Sequence, residues 1–81
     1  MEKNKINKDG NREGYWEYYC TDGSLGYKGN YRNGIAHGYW EYYHFNGKFY
    51  NKGNFINGSA HGYWEYYYSS GELMRKEYYI K

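Results

Sequence analysis

Eighty-one residues with a net charge of +2 and a mean hydropathy of −1.29 allow one small domain with a thin core. Eleven Lys and Arg against nine Asp and Glu are too balanced to steer the chain toward nucleic acid or an acidic membrane. The lone Cys20 excludes an internal disulfide and no apolar run approaches the length of a membrane span, so a soluble cytoplasmic protein is expected.

Residues 1–9 form a charged tail without the apolar segment of a signal peptide. Lys3, Lys5 and Lys8 suit an edge strand if the tail pairs with residues 11–16; otherwise the tail is unstructured. Beyond it, Gly-Tyr-Trp-Glu-Tyr-Tyr occurs at residues 14–19, 38–43 and 62–67, always 24 residues apart. A constant period marks one supersecondary unit stacked on copies of itself, because a single unit cannot bury its apolar face. The spacing divides the domain at residues 10–81 into units 10–33, 34–57 and 58–81. Aromatic residues make up 26% of the chain, fifteen of them Tyr, whose ring packs while its hydroxyl stays wet.

Two sets of turn signals alternate along the units. Asp22-Gly23, Asn46-Gly47 and Ser70-Gly71 form one set; Asp9-Gly10, Asn33-Gly34 and Asn57-Gly58 form the other. Such pairs favour two-residue type I′ hairpin turns, which need positive φ at both central residues. Paired residue numbers then sum to a constant around each turn: 45, 93 and 141 for the first set, and 67 around Asn33-Gly34. Glu17 falls opposite Lys28, Glu41 opposite Lys52 and Glu65 opposite Lys76. Each such pair contributes roughly 0.2 to 1 kcal/mol.

The expected fold is all-β, a single curved antiparallel meander of about six strands built from three 24-residue hairpins. Trp16, Tyr18, Leu25, Gly29 and Tyr31 share one face with Gly38, Trp40, Tyr42, Phe49, Gly53 and Phe55. Tyr15, Glu17, Tyr19, Lys28, Asn30 and their equivalents share the other. Trp16 and Trp40 each lie opposite a strand glycine, whose bare backbone an indole can cover. In the last unit Glu77 replaces that glycine and Arg75 joins it, placing charge on the Trp face as edge strands do.

The stretches Gly29-Asn-Tyr-Arg-Asn-Gly-Ile-Ala-His-Gly-Tyr-Trp and Gly53-Asn-Phe-Ile-Asn-Gly-Ser-Ala-His-Gly-Tyr-Trp resemble the MORN repeat in its bacterial variant form. The likeness covers residues 10–81, with departures at Cys20, His44, Tyr68, at Arg12, Ala36, Ala60, and at Glu77. It implies an elongated, curved sheet of hairpins used for protein or lipid contacts. It also brings in YwqK-type antitoxins, and carries no catalytic residue.

Candidate chemistry is sparse. His37 and His61 recur, but equivalent residues in successive hairpins stand on the order of 10 Å apart, too far for one zinc ion. They are expected to bond to the facing Asn30 and Asn54. Glu17, Glu41 and Glu65 read as a salt-bridge ladder, and Cys20 lacks an activating neighbour in sequence. No metal, no cofactor and no enzymatic activity are expected. The aromatic surface remains: a noncatalytic protein-interaction module, inhibitory or antitoxin-like, with Tyr15, Tyr19, Tyr39, Tyr43, Tyr63, Tyr67, Trp16, Trp40 and Trp64 as candidate partner-binding residues. The alternatives are indoles packed on their own neighbours, a homodimer through one face, and a carbohydrate-binding module. Stacking on single-stranded nucleic acid ranks below these, for want of a positive groove.

Overall fold

The computed structural model describes residues 3–80, so Met1 and Glu2 of the tail and Lys81 of the last unit lie outside the described residues. Among the described residues there are eight strands and no helix: β1 (Lys5–Ile6), β2 (Arg12–Tyr19), β3 (Leu25–Arg32), β4 (Ile35–Ala36), β5 (Gly38–Tyr43), β6 (Phe49–Ile56), β7 (Ser59–Tyr67) and β8 (Leu73–Tyr79). They form one open antiparallel meander in the order β1-β2-β3-β5-β6-β7-β8, with β4 also paired to β3. Eight strands replace the expected six for two reasons. The tail pairs as β1 with β2, and the strand after Asn33-Gly34 is interrupted at His37, although its counterpart β7 runs on unbroken.

The turns depart from expectation in an instructive way. Asn33 and Asn57 take φ of 50° and 49° before glycines at 86°, as two-residue turns require. The Asp22-Gly23, Asn46-Gly47, Ser70-Gly71 and Asp9-Gly10 pairs instead sit in three-residue loops closed by a left-handed glycine. In the first, Cys20 N–H donates to the Ser24 carbonyl at 2.7 Å and Gly23 N–H to the Cys20 carbonyl at 2.9 Å. The cause is local: Asp22 Oδ1 accepts from Ser24 N–H at 2.9 Å, and Asn46 Oδ1 from Lys48 N–H at 2.9 Å. This side-chain turn favours the longer loop.

A three-residue loop moves the pairing by one, so Tyr19 meets Leu25, Tyr43 meets Phe49 and Tyr67 meets Leu73. One extra residue on the return strand, Gly26, Tyr50 or Met74, then bulges out and restores the expected register. Trp16–Gly29, Glu17–Lys28, Trp40–Gly53, Glu41–Lys52 and Glu65–Lys76 are all paired as the turn positions require. Leu25, Phe49 and Leu73 lie before the bulge and so switch sides. They belong to the Tyr and Glu face, where the Phe49 ring stacks on Tyr43 at 5.3 Å.

Between hairpins the register slips by two. Tyr31 pairs with Ala36 as expected, but Tyr27 pairs with Tyr42 and Lys28 with Glu41, not Tyr27 with Trp40. Gly38, Tyr39 and Trp40 thus span the place opposite Gly29, and the same slip recurs between Asn54–His61 and Lys52–Glu65. An even slip keeps every side chain on its face. It also carries the indoles backwards onto the glycines of the preceding strand: Trp40 covers Gly29 although it pairs with Gly53, and Trp64 covers Gly53 although it pairs with Glu77. A Cβ at Gly29 or Gly53 would lie 2.0 or 2.3 Å from the indole. Trp40 Nε1 donates to the Asn30 carbonyl at 2.9 Å and Trp64 Nε1 to the Asn54 carbonyl at 3.0 Å.

Trp40 and Trp64, at 2% and 3% exposure, are the buried hydrophobic core. They belong to an edge-to-face row, Trp16–Tyr31–Trp40–Phe55–Trp64, with centroid separations of 6.0, 5.0, 5.9 and 4.9 Å. Perpendicular packing sets positive ring edges against negative ring faces. A single sheet thereby builds a core out of one of its own faces.

Candidate functional site

The opposite face is organised by the strand period of two, which places the first Tyr, the Glu and the last Tyr of each Tyr-Trp-Glu-Tyr-Tyr segment side by side. Tyr15 and Tyr19 donate their hydroxyls to Glu17 at 2.8 and 2.5 Å. Tyr39 donates to Glu41 at 2.9 Å, Tyr43 donates to the other oxygen of Glu41, and Tyr67 donates to Glu65 at 2.5 Å. Tyr63 is the exception. It stands against Tyr78 with ring centroids 4.7 Å apart, and the two rings are 66% and 57% exposed.

The carboxylates also meet lysines across the strands. Lys3 Nζ lies 2.7 Å from Glu17, Lys28 Nζ 3.4 Å from Glu41, and Lys52 and Lys76 Nζ each 3.8 Å from Glu65. Lys28 and Lys52 therefore form ion pairs with the glutamate of the following hairpin, although Glu17 and Glu41 are their register partners within their own hairpins. Lys, Glu, Lys and Glu alternate across the sheet. Lys52 Nζ also sits 4.3 Å from the Phe49 ring centre.

Titration follows from these bonds. Glu17 is pulled down to about 2 by the Lys3 hydrogen bond, then by those of Tyr19 and Tyr15. Glu41 is lowered although its burial opposes ionisation, because the Tyr43 and Tyr39 hydroxyls and the Lys28 charge outweigh it. Tyr15 is pushed up to about 12 by burial and by its bond to Glu17, and Tyr67 to about 12 by its bond to Glu65. Tyr39 and Tyr43 rise for the same reasons, burial first. At neutral pH these phenols are donors clamped on anions, and their rings are held in fixed orientations.

The sequence candidates thus fall on two faces. Tyr15, Tyr19, Tyr39, Tyr43, Tyr63 and Tyr67 share the Glu and Lys side, where Tyr19, Tyr39 and Tyr63 are 48%, 43% and 66% exposed. Trp40 and Trp64 are buried on the other side, and Trp16 is half-buried beneath the Arg12 guanidinium at 4.6 Å. Sequence reasoning passed over Phe45, Tyr50 and Tyr78. Phe45, 85% exposed, helps to line a cup of about 250 Å³ with Cys20, Tyr43, His44 and Tyr50. Their signal was a broken column: Phe45 stands where the other units have Thr21 and Ser69, and Tyr78 where they have Asn30 and Asn54.

His37 and His61 face Asn30 and Asn54 as expected, but the bonds of the His37 and His44 rings lie elsewhere. His37 Nδ1 accepts from Asn57 N–H at 3.2 Å, with only its backbone N–H bonded to Asn30, and His44 Nε2 donates to the Tyr67 carbonyl at 3.1 Å. His61 Nδ1 is buried without a hydrogen-bond partner among the described residues. Among the described residues no three of His, Cys, Asp and Glu gather as metal ligands do. No family model, curated protein or solved structure matches this chain.

Proposed function

We propose that this chain is a noncatalytic protein-interaction module, a curved array of MORN-like hairpins whose Tyr and Glu face binds a protein partner. The observation that carries the reading is the row of exposed tyrosine rings whose hydroxyls or neighbours hold them in place: Tyr19 and Tyr39 on carboxylates, Tyr63 against Tyr78. Rings already fixed before contact lose little side-chain entropy on binding, and Tyr is among the residues enriched where binding energy concentrates. The repeat reading draws support from the joint made twice, Trp40 on Gly29 and Trp64 on Gly53. The bulges at Gly26, Tyr50 and Met74, which bend strands and raise their twist, favour curvature. An inhibitory, antitoxin-like role is the version that the resemblance favours.

The test compares capture of partners from native extract by the parent chain and by a variant with Tyr39→Ser, Tyr63→Ser and Tyr78→Ser. The variant keeps the near-ultraviolet signal of the packed indoles and loses the partner. Retention of every partner by the folded variant would sink the reading. Tight, tyrosine-dependent binding on a glycan array would replace it with the carbohydrate alternative.

A further inference from the structure

The joint between consecutive hairpins has a receiving strand and an arriving strand. The receiving strand reads Lys-Gly-Asn at residues 28–30 and 52–54; the arriving strand brings Trp-Glu at residues 40–41 and 64–65. The lysine meets the glutamate, the glycine lies under the indole, and the asparagine carbonyl accepts the indole N–H. Residues 3–5 take the receiving part toward β2. Lys3 bonds Glu17, the Lys5 carbonyl accepts from Trp16 Nε1 at 3.0 Å, and Asn4 ties its side chain to the Glu17 backbone at 3.2 and 2.9 Å.

β8 carries the same frame as Lys76-Glu77-Tyr78. Glu77 pairs with Trp64 just as Gly53 pairs with Trp40 and Gly29 with Trp16, so its side chain rises where the next indole would lie. Arg75, stacked 4.3 Å over Tyr66, holds the Glu77 carboxylate at 2.9 Å. We infer that the outer edge of β8 is the receiving half of a further joint, closed by the Glu77 side chain, and that the strand it excludes is β2 of a second copy of this chain.

Two observations select that occupant. Glu17 offers Lys76 the charge that Glu41 offers Lys28 and Glu65 offers Lys52. Trp16-Glu17 is also the arriving pair whose receiver is most easily displaced, since β1 has two residues, both exposed, where β3 and β6 have eight each. Such a contact joins unlike surfaces of identical molecules head to tail, so copies add one after another until the chain of copies closes into a ring or runs on as a filament. Space is the decisive factor, because at Gly29 and Gly53 even a methyl group would overlap the indole. The inference does not depend on the protein-partner reading.

The test uses the full chain with Lys3→Ala to loosen β1, combined with either Glu77→Gly or Glu77→Ala, and follows mass by light scattering from micromolar to millimolar concentration. The glycine variant should at least double its weight-average mass across the series, and adding Lys76→Glu should abolish the growth. The alanine variant lacks the carboxylate but keeps a Cβ, and should stay at the mass of the parent. Three results overturn the inference: a folded glycine variant that does not grow, an alanine variant that grows equally, or Lys76-dependent growth of the unaltered chain. Should Lys3→Ala unfold the chain, the same comparison of glycine and alanine at position 77 is read with Lys3 intact, at the high end of the series.

Discussion

Replacing Gly53 by alanine sets two effects of opposite sign against each other. Gly53 does not have positive φ, so alanine suits its backbone and by conformational entropy alone would stabilise the fold by about 0.4 to 1 kcal/mol. A Cβ there, however, lies 2.3, 2.4 and 2.5 Å from Trp64 Cδ2, Cε2 and Cγ. The indole cannot stay. Expelling a large side chain that is now 3% exposed costs about 1.5 to 3 kcal/mol of apolar burial. Loss of its N–H bond to Asn54 and its edge contact with Phe55 costs roughly another 1 to 3 kcal/mol. After partial relaxation the net loss should be about 2 to 4 kcal/mol, a large share of the 5 to 15 kcal/mol typical of a whole domain. Urea unfolding followed by tryptophan fluorescence measures it, and the folded variant should emit further to the red. A neutral or stabilising Gly53→Ala would mean that no indole rests on this glycine.

Acid should weaken the fold as Glu17 titrates. Its folded pKa is depressed from 4.5 to about 2, so its contribution is complete above pH 4.5 and disappears as pH falls toward 2. Tyr15 and Tyr67, raised from 10 to about 12, contribute fully below pH 10 and lose that contribution as pH climbs to 12. Urea midpoints across pH should show both limbs, with Glu17→Gln flattening the acid one; an acid limb of opposite slope contradicts the hydrogen-bond assignments. Asn33→Ala should cost about 1 to 2 kcal/mol because φ of 50° is left-handed, and Asn33→Gly should recover much of it, in the same urea assay. Asn51→Tyr should stabilise by about 1 to 3 kcal/mol, since it removes a buried amide oxygen with no partner among the described residues and completes a ring row between Tyr42 and Tyr66 as Tyr27 does between Tyr18 and Tyr42. A lower thermal midpoint for that variant would show that the slot at residue 51 is too small for a ring.

The shared side of Tyr15, Glu17 and Tyr19 was legible from spacing alone, because residues two apart on a strand point the same way whatever surrounds them. The hydroxyl-to-carboxylate bonds follow almost directly from that placement. The burial of Trp40 and Trp64 was open in the sequence as the alternative of indoles packed on their own neighbours, but which glycine each covers was not legible, since it depends on a slip between hairpins that no single segment records.

Local chemistry therefore determined the antiparallel meander, the two faces and the Glu–Lys register. The register was right although the loops were one residue longer than expected, because a bulge on each return strand cancels the shift. The side taken by Leu25, Phe49 and Leu73, the glycine beneath each indole, and the pairing of the tail as β1 were decided only in the assembled sheet. The physical reason is one of range. Strand alternation and turn preference act over a few residues, whereas an indole chooses its glycine by packing across strands, where steric fit outweighs the simplest hydrogen-bond register.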